Sequence, residues 1–372
     1  MRLLAGIGGA VLVAVVLWDA FETIVLPRRV TRRVRLTRFF YRATWRPFAA
    51  SARLVRAGGR REAYLGFYGP LSLLLLLVLW AAALVVGFGL LQYAAGSAAS
   101  LTNDTARLTT DVYLSGTTFF TLGLGDIAPQ GTFARVLTVV ESGLGFGFLA
   151  IVIGYFPVLY QAFSRREVSI SLLDARAGSP PSAAELLRRH GGPGGAPALE
   201  RLLTEWERWA AELLETHLSY PLLAYFRSQH TNESWLAALT TVLDTSALVM
   251  VGIEGGCARQ ARLTFAMARH AVVDLTQVFN TPPVAEPVER LSPAALVRLK
   301  AALAVVELPG VAAGVVDGKL AEVRRGYEPY VAALSRYLLL PLPEWDYETQ
   351  HRDNWQSTGW GRRTALPPAE HF

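Results

Sequence analysis

The sequence predicts an all-α membrane protein with three transmembrane helices, a short re-entrant segment between the second and third, and an all-helical cytoplasmic domain. Apolar residues crowd into the first 163 of the 372 residues, and most of the remainder has the pattern of helices of a soluble domain. The stretch GTTFFTLGLGD, residues 116–126, lies between the last two apolar runs and fits neither a regular helix nor a strand. These observations predict five segments, at 1–27, 28–65, 66–163, 164–340 and 341–372.

The first apolar run, residues 3–26, is predicted to be a transmembrane helix. A secretory signal peptide is the alternative, but the Pro27-Arg28-Arg29 that follows lacks the small residues of a cleavage site. Asp19 and Glu22 lie near the end of this run, three residues apart on one helical face. We expect them to pair with Arg28 or Arg29 at the membrane interface.

The segment 28–65 is a basic linker. It has twelve arginines between Arg28 and Arg61 and no acidic residue among them, which places it in the cytoplasm, with the N-terminus outside and the C-terminus inside. Arginines alternate there with aromatic residues, as in a helix lying on anionic lipid headgroups. The net charge of +6 therefore predicts a lipid bilayer partner and no nucleic acid.

The second and third runs, residues 71–91 and 136–160, are each long enough to cross a bilayer. The second reaches about 31 Å as a helix and has Ser72 as its one polar side chain. The third contains one charge, Glu141, and an ionisable residue at membrane depth is expected to face protein or water. Glu141 is predicted to support the segment before it from behind or to line a cavity.

The connection between these runs is predicted to enter the membrane and return. Asp111 is placed to cap or charge the start of a short helix, and TLGLGDIAPQG follows it at residues 121–131. Irregular backbone is tolerated at membrane depth only where it is buried in protein or lines water. Gly123 and Gly125 allow backbone angles that turn successive carbonyl groups to one side, where they can replace the water shell of a cation.

The stretch TTFFTLGLGDIAPQG resembles the pore segment of potassium channels, in which Thr-x-Gly-Tyr/Phe/Leu-Gly-Asp follows a pore helix. The resemblance covers residues 66–163, as outer helix, turret, re-entrant pore helix, filter and inner helix. It implies a homotetramer with potassium ions as the permeant species and no cofactor. It also implies that the carbonyl groups binding the potassium ion belong to Thr121, Leu122, Gly123 and Leu124.

The resemblance assigns further roles around this filter. It places Gly125 and Asp126 at the outer mouth, and Phe119 and Phe120 at the end of the pore helix, where they pack around the filter or belong to the core. Leu124 stands where most family members have tyrosine, so it offers packing in place of a hydroxyl hydrogen bond. A weakly selective cation channel is therefore an alternative.

Small residues interrupt the predicted inner helix. In the potassium-channel family a glycine of this helix is the gating hinge, and Gly145 lies at the matching position, with Gly147 and Pro157 as further candidates. Proline removes a helix hydrogen bond and favours a kink. Close helix packing is the alternative explanation for the glycines.

The segment 164–340 is predicted to be helical and cytoplasmic. Its apolar stretch at 234–252 contains Asp244 and several hydroxyl side chains, which favours a buried helix over a fourth span. No glycine-rich turn links a strand to a helix, so a nucleotide-binding domain is not expected and an unknown cytoplasmic ligand is left open. Helices are predicted at 258–279, 293–306 and 311–340, followed by a docked tail containing Trp345, Trp355 and Trp360.

The sequence therefore predicts a tetrameric, potassium-conducting channel of a bacterial plasma membrane and not an enzyme. One cysteine, Cys257, excludes an internal disulfide, and no Cys/His spacing indicates a zinc site. A membrane-anchored signalling or scaffold protein with a non-conducting pore is an alternative from another class. A membrane enzyme using Asp174, Asp244 or the scattered histidines is a third.

Overall fold

The computed structural model describes residues 1–26, 35–97, 104–230, 232–252, 256–304, 306, 318–347 and 353–354. These residues contain helices, turns and irregular segments and no strand, which confirms the all-α class. The helices, in chain order, are α1 (Arg2–Ala20, continued by a π turn at Phe21–Val25), α2 (Leu36–Leu54), α3 (Gly59–Gly66), α4 (Tyr68–Ala95), α5 (Asp104–Phe119), α6 (Thr132–Ala177), α7 (Ala183–Arg189), α8 (Gly195–Ser219), α9 (Trp235–Gly252), α10 (Gly256–Val278), α11 (Pro293–Ala304), α12 (Lys319–Arg325) and α13 (Glu328–Leu338).

The chain divides into two compact units. The N-terminal unit comprises Met1–Ser51 and Phe67–Gln161, and the C-terminal unit comprises Ala52–Gly66 and Ala162–Phe372. Four segments are long and apolar enough to cross a membrane, at Arg2–Val25, Gly59–Ala95, Thr132–Ala177 and Trp235–Gly252. The first three contain the predicted runs.

The fourth of these segments, α9, is enclosed by the C-terminal unit. Fifteen of its 18 residues are buried, from Trp235 to Val249. The Asp244 carboxylate at its centre accepts hydrogen bonds from Tyr327 and pairs with Arg290. These contacts agree with the prediction of a buried helix.

Small residues bring the helices of the N-terminal unit into backbone contact. A Cβ atom at Gly9 of α1 would lie 2.6 Å from the carbonyl oxygen of Gly87 in α4. A Cβ atom at Gly89 would lie 2.8 Å from the Cα of Val112 in α5. Helix α4 is therefore packed closely against α1 and α5, as small residues permit in apolar helix pairs.

Asp19 holds α1, α2 and α4 together. Its carboxylate accepts hydrogen bonds from the backbone N–H of Thr37 at 3.2 Å, from the Thr37 hydroxyl at 2.5 Å and from Trp80 Nε1 at 3.1 Å. Because Thr37 lies in the first turn of α2, the acid caps that helix. The expected pairing with Arg28 and Arg29 concerns residues outside the described ranges.

Glu22, the second acid of the first run, has different neighbours. It accepts a hydrogen bond from Trp18 Nε1 at 2.8 Å, and its other oxygen lies 3.5 Å from Arg35 Nε. An arginine of the basic linker therefore contacts this acid, though one beyond the pair named from the sequence.

The basic helix expected after the first run is α2. Its Trp45 is buried, and the Trp45 and Tyr68 ring centroids lie 4.8 Å apart, whereas Phe39 is 70% exposed. Residues 27–34 of the linker lie outside the described ranges. Contact of this helix with anionic headgroups stays a prediction.

The C-terminal unit differs from the sequence prediction at one helix. Of the segment predicted to be helical at 311–340, residues 311–317 lie outside the described ranges, and residues 318–340 contain α12 and α13, separated by Gly326 and Tyr327. Pro329 lies in the first turn of α13, and a proline there starts a helix but cannot donate the hydrogen bond that would continue one. Trp345 is buried beyond α13, while Trp355 and Trp360 fall outside the described residues.

Candidate functional site

The segment between α5 and α6 has an alternating backbone. Thr121, Gly123 and Gly125 have φ angles of +55°, +56° and +77°, whereas the φ angles of Leu122 and Leu124 are negative. Such alternation is the geometry expected of an extended segment that turns successive carbonyl groups to one side. The glycines at 123 and 125 were predicted to permit it, but the positive φ of Thr121 was not predicted.

The end of α5 takes up the first N–H groups of this segment. Thr121 N donates to Thr118 O at 3.0 Å, and the N–H groups of Leu122 and Gly123 share Thr117 O at 2.7 and 3.3 Å. The carbonyl oxygens of residues 121–125 accept no hydrogen bond from the part of the chain that the structure describes. The first three N–H groups of the segment are thus satisfied by α5, and its carbonyl oxygens are left available.

The whole segment is exposed in the single chain. Residues 121–126 are all exposed, with Leu122 and Leu124 at 61% and 62%. Apolar residues of α6 are exposed as well, among them Phe146 and Ile153. An apolar surface of this kind on a membrane unit marks a site covered by lipid or by other protein.

Tyr113 ties the far end of the segment to α5. Its hydroxyl donates a hydrogen bond to Asp126 Oδ2 at 3.0 Å. Sequence reasoning placed Asp126 at the outer mouth but did not identify Tyr113. The sequence signal for this contact was a tyrosine about two turns before the end of α5, in a chain whose Leu124 has no hydroxyl of its own.

The two aromatic residues at the end of α5 differ in their surroundings. Phe119 is buried and packs against Phe148 of α6 with ring centroids 5.8 Å apart. Phe120 meets Phe119 edge-on at 5.3 Å but is 59% exposed. Phe119 thus belongs to the core between α5 and α6, and Phe120 stands at the surface of the chain.

Glu141 lies behind α5. Its side chain is fully buried, and Oε1 is hydrogen-bonded to the hydroxyl of Ser115. The same hydroxyl donates to the carbonyl oxygen of Val85 in α4 at 2.7 Å. Of the two positions considered from the sequence, the structure places Glu141 against the short helix.

The candidate hinge residues lie in an unbroken helix. Helix α6 runs through Gly145, Gly147 and Pro157. A Cβ atom at Gly145 would collide with the carbonyl group of Phe119, whereas nothing lies within 4 Å of one at Gly147. Close packing therefore accounts for the glycine at 145, and the hinge roles stay predictions.

The C-terminal unit offers no metal-binding arrangement among the residues that the structure describes. No group of three or more His, Cys, Asp or Glu side chains is arranged there in a way that could hold a metal ion. Asp174, named as a candidate catalytic acid, accepts a hydrogen bond from the Ser179 hydroxyl. Asp244, the other, is occupied by the contacts to Arg290 and Tyr327.

Comparison with known proteins supports the potassium-channel resemblance. Residues 73–161 match a family described as "Ion channel", a two-transmembrane domain of the potassium-channel type. The "Uncharacterized membrane protein YdjJ" of Bacillus subtilis (strain 168) is 24% identical over 201 residues, or 53% of this chain and 58% of that protein. The chain thus covers less than two thirds of the length of this relative. No solved structure matches the chain.

Proposed function

From the premise that residues 73–161 form an ion-channel domain of a membrane protein, we propose that this domain conducts potassium as a homotetramer. The observation that carries the proposal is the alternating backbone at residues 121–125, whose carbonyl oxygens have no hydrogen-bond donor among the described residues. A row of such oxygens is what a dehydrated monovalent cation requires.

Conduction in this proposal is passive. Rings of carbonyl groups from Thr121, Leu122, Gly123 and Leu124 replace the hydration shell of potassium, and the Thr121 hydroxyl closes the inner end. Gly125 and Asp126 form the outer mouth. Repulsion between ions at neighbouring sites lets each ion leave.

The exposure of the segment supports assembly. An irregular backbone cannot face hydrocarbon, because its unpaired polar groups would lose their hydrogen bonds to water. A tetramer places four copies of residues 121–126 around one water-filled axis and covers Leu122 and Leu124 with protein. In this arrangement α1, α4 and α6 span the plasma membrane, α5 is the re-entrant pore helix, and the linker between Arg28 and Arg61 lies on anionic headgroups in the cytoplasm.

The contact between Tyr113 and Asp126 supports potassium selectivity over a weakly selective pore. Leu124 removes the hydroxyl that most related filters carry, so another group must hold the filter at a fixed diameter. The Tyr113 hydroxyl, 3.0 Å from Asp126, connects the outer end of the filter to the pore helix. The filter is thereby held by α5 at both of its ends.

A flux measurement in liposomes with two glycine variants tests the proposal. Gly123 and Gly131 both have positive φ, +56° and +82°, and neither has an atom within 4 Å of an added Cβ. Replacement by alanine therefore strains the two positions in a similar way, but only Gly123 lies in the filter. We expect wild type and Gly131→Ala to release potassium and Gly123→Ala to release none.

The number of subunits in the purified protein has to be measured together with the liposome flux. Wild type purified in a mild detergent is expected to be a tetramer. Equal flux from Gly123→Ala and Gly131→Ala, or flux from a protein that is monomeric throughout, would contradict the proposal.

A further inference from the structure

We propose that Glu141 is a neutral carboxylic acid that donates its proton to Ser115, and that this hydrogen bond positions the pore helix and its filter. The proposal rests on the proposed function, because it assigns a positioning residue to the same pore. It concerns three side-by-side groups of the N-terminal unit: the Val85 carbonyl of α4, Ser115 of α5 and Glu141 of α6.

Counting protons identifies the protonated group. A serine hydroxyl has one proton to donate, and a backbone carbonyl has none. Ser115 Oγ lies 2.7 Å from Val85 O and is also hydrogen-bonded to Glu141 Oε1, and its one proton cannot occupy both hydrogen bonds. In the proposal the serine proton goes to Val85 O. The hydrogen bond between Ser115 Oγ and Glu141 Oε1 then needs a second proton, which only the carboxyl group can supply.

The surroundings of Glu141 agree with a neutral group. Both Ser115 and Glu141 are fully buried, and none of the described ion pairs involves Glu141. Glu141 Oε2 has no hydrogen-bond partner in the described part of the chain. An ionised carboxylate in this place would have no cation and a single hydroxyl, which is far too little to replace its hydration.

A neighbouring subunit cannot change this conclusion. The side chain of Glu141 has no exposed surface in the single chain, so no group from another chain can reach it. Asp19, another buried acid of this unit with a described set of partners, differs from Glu141 in its hydrogen bonds. It accepts them from the backbone and hydroxyl of Thr37 and from Trp80. Those groups all donate to the Asp19 carboxylate, whereas Glu141 Oε2 has no partner in the described part of the chain.

The position of Ser115 connects this hydrogen bond to the filter. Ser115 lies just before Thr117 and Thr118, whose carbonyl groups receive the N–H groups of residues 121–123. One turn along both helices, Gly145 of α6 packs against the carbonyl group of Phe119. Two contacts with the same four-residue spacing, Glu141 to Ser115 and Gly145 to Phe119, therefore align α6 along the end of α5.

Infrared spectroscopy of the purified protein tests the protonation. We expect wild type at neutral pH to show the C=O stretching band of a protonated carboxyl group, shifted in D₂O. The band should be missing in Glu141→Gln and retained in Asp19→Asn, the matched buried acid. Absence of this band from the wild-type spectrum would overturn the assignment. Its presence in the spectrum of Glu141→Gln would do so as well.

Reversal potentials test the positioning role. Glutamine has an N–H that can replace the proposed donor, whereas leucine has a similar shape and no donor. We therefore expect Glu141→Gln to keep the wild-type reversal potential and Glu141→Leu to shift it toward zero. Wild-type selectivity in Glu141→Leu would overturn the positioning role.

The two experiments separate this inference from the proposed function. A wild type that shows the infrared band but carries no current would contradict the channel and still support the proton assignment. A wild type that carries a selective current without the band would support the channel and overturn the proton assignment.

Discussion

Tyr113 is the residue that would hold the outer end of the proposed filter against α5. Its hydroxyl reaches Asp126 from α5, and Leu124 can offer only packing. In the proposed filter, a fixed diameter requires that the outer end cannot move away from α5. Replacing a single hydroxyl group therefore tests this contact.

Tyr113→Phe is expected to move the reversal potential between potassium and sodium toward zero, because the filter loses its outer attachment. Asp126→Asn is the matched variant, since its amide oxygen still accepts the tyrosine hydrogen bond. It should keep more of the wild-type selectivity. An unchanged reversal potential in Tyr113→Phe would show that the contact has no part in selectivity.

His217 gives the C-terminal unit a pH dependence. The ring is fully buried; Nδ1 donates to Leu213 O at 2.8 Å, and Nε2 lies 3.5 Å from an Arg166 nitrogen. Burial, followed by the charge of Arg166, lowers the pKa of His217 from 6.5 to about 3. In the unfolded chain the ring takes up a proton below pH 6.5, whereas in the folded chain it does not.

The sign of the effect follows from this difference in proton uptake. Stability is independent of His217 above about pH 6.5 and falls as the pH is lowered toward 3, because the unfolded state then binds the extra proton. Between pH 7 and 5 the loss is about 2 kcal/mol. The midpoint of thermal unfolding should fall over this range in wild type and in the exposed control His270→Gln, and less in His217→Gln. Equal pH dependence in all three would contradict the assignment.

At the scale of helices, the sequence predicts what depends on local pattern. The apolar runs gave α1, α4 and α6, and the hydroxyl-rich centre around Asp244 correctly indicated that α9 is buried. The division between α12 and α13 was missed, although Pro329 carries the signal for a new helix start. A helix boundary inside a long periodic segment depends on one residue and is easily outweighed by the pattern around it.

Contacts between distant residues were beyond the sequence. Asp19 caps α2 through Thr37, 18 residues away, and no local pattern pairs them. The glycines of the candidate filter were informative because only glycine adopts positive φ freely. Thr121 adopts it as well, in a segment whose N–H groups bond to Thr117 and Thr118, and that is a property of the folded end of α5.

The ion pair between α9 and the segment before α11 is expected to stabilise the C-terminal unit. Asp244 is fully buried, and Arg290 contacts both of its oxygens. Burial, followed by the charge of Asp244, also holds the pKa of Tyr327 well above its usual range, so this tyrosine keeps its proton and donates to Asp244. The acid therefore contacts two side chains, Arg290 and the buried Tyr327.

Asp244→Asn should destabilise the protein by about 3–5 kcal/mol, because it removes the buried carboxylate that contacts Arg290 and leaves the arginine with the 3.4 Å pair to Glu328. Arg176→Ala is the control, since its 3.3 Å pair with Glu205 is largely exposed and should contribute about 0–1 kcal/mol. Denaturant or thermal unfolding followed by tryptophan fluorescence measures both. Equal midpoints for the two variants would contradict a stabilising role for the buried pair.

For the whole molecule, the proposed channel requires more than one chain. Residues 121–126 and part of α6 are exposed in a unit whose helices are apolar enough to cross a membrane. The family match covers residues 73–161 and leaves the C-terminal unit without an assigned role. The sequence likewise predicts a pore segment at residues 116–126 and assigns no ligand to the C-terminal unit.

The reversal potential of the purified wild-type protein in planar bilayers, with potassium on one side and sodium on the other, tests the central claim most directly. Gly123→Asp is the comparison, because an aspartate has to adopt the positive φ of +56° within the filter. The account predicts a wild-type value near the potassium equilibrium potential and no selective current from the variant. A value near zero with current present, or a selective current that persists in Gly123→Asp, would contradict it.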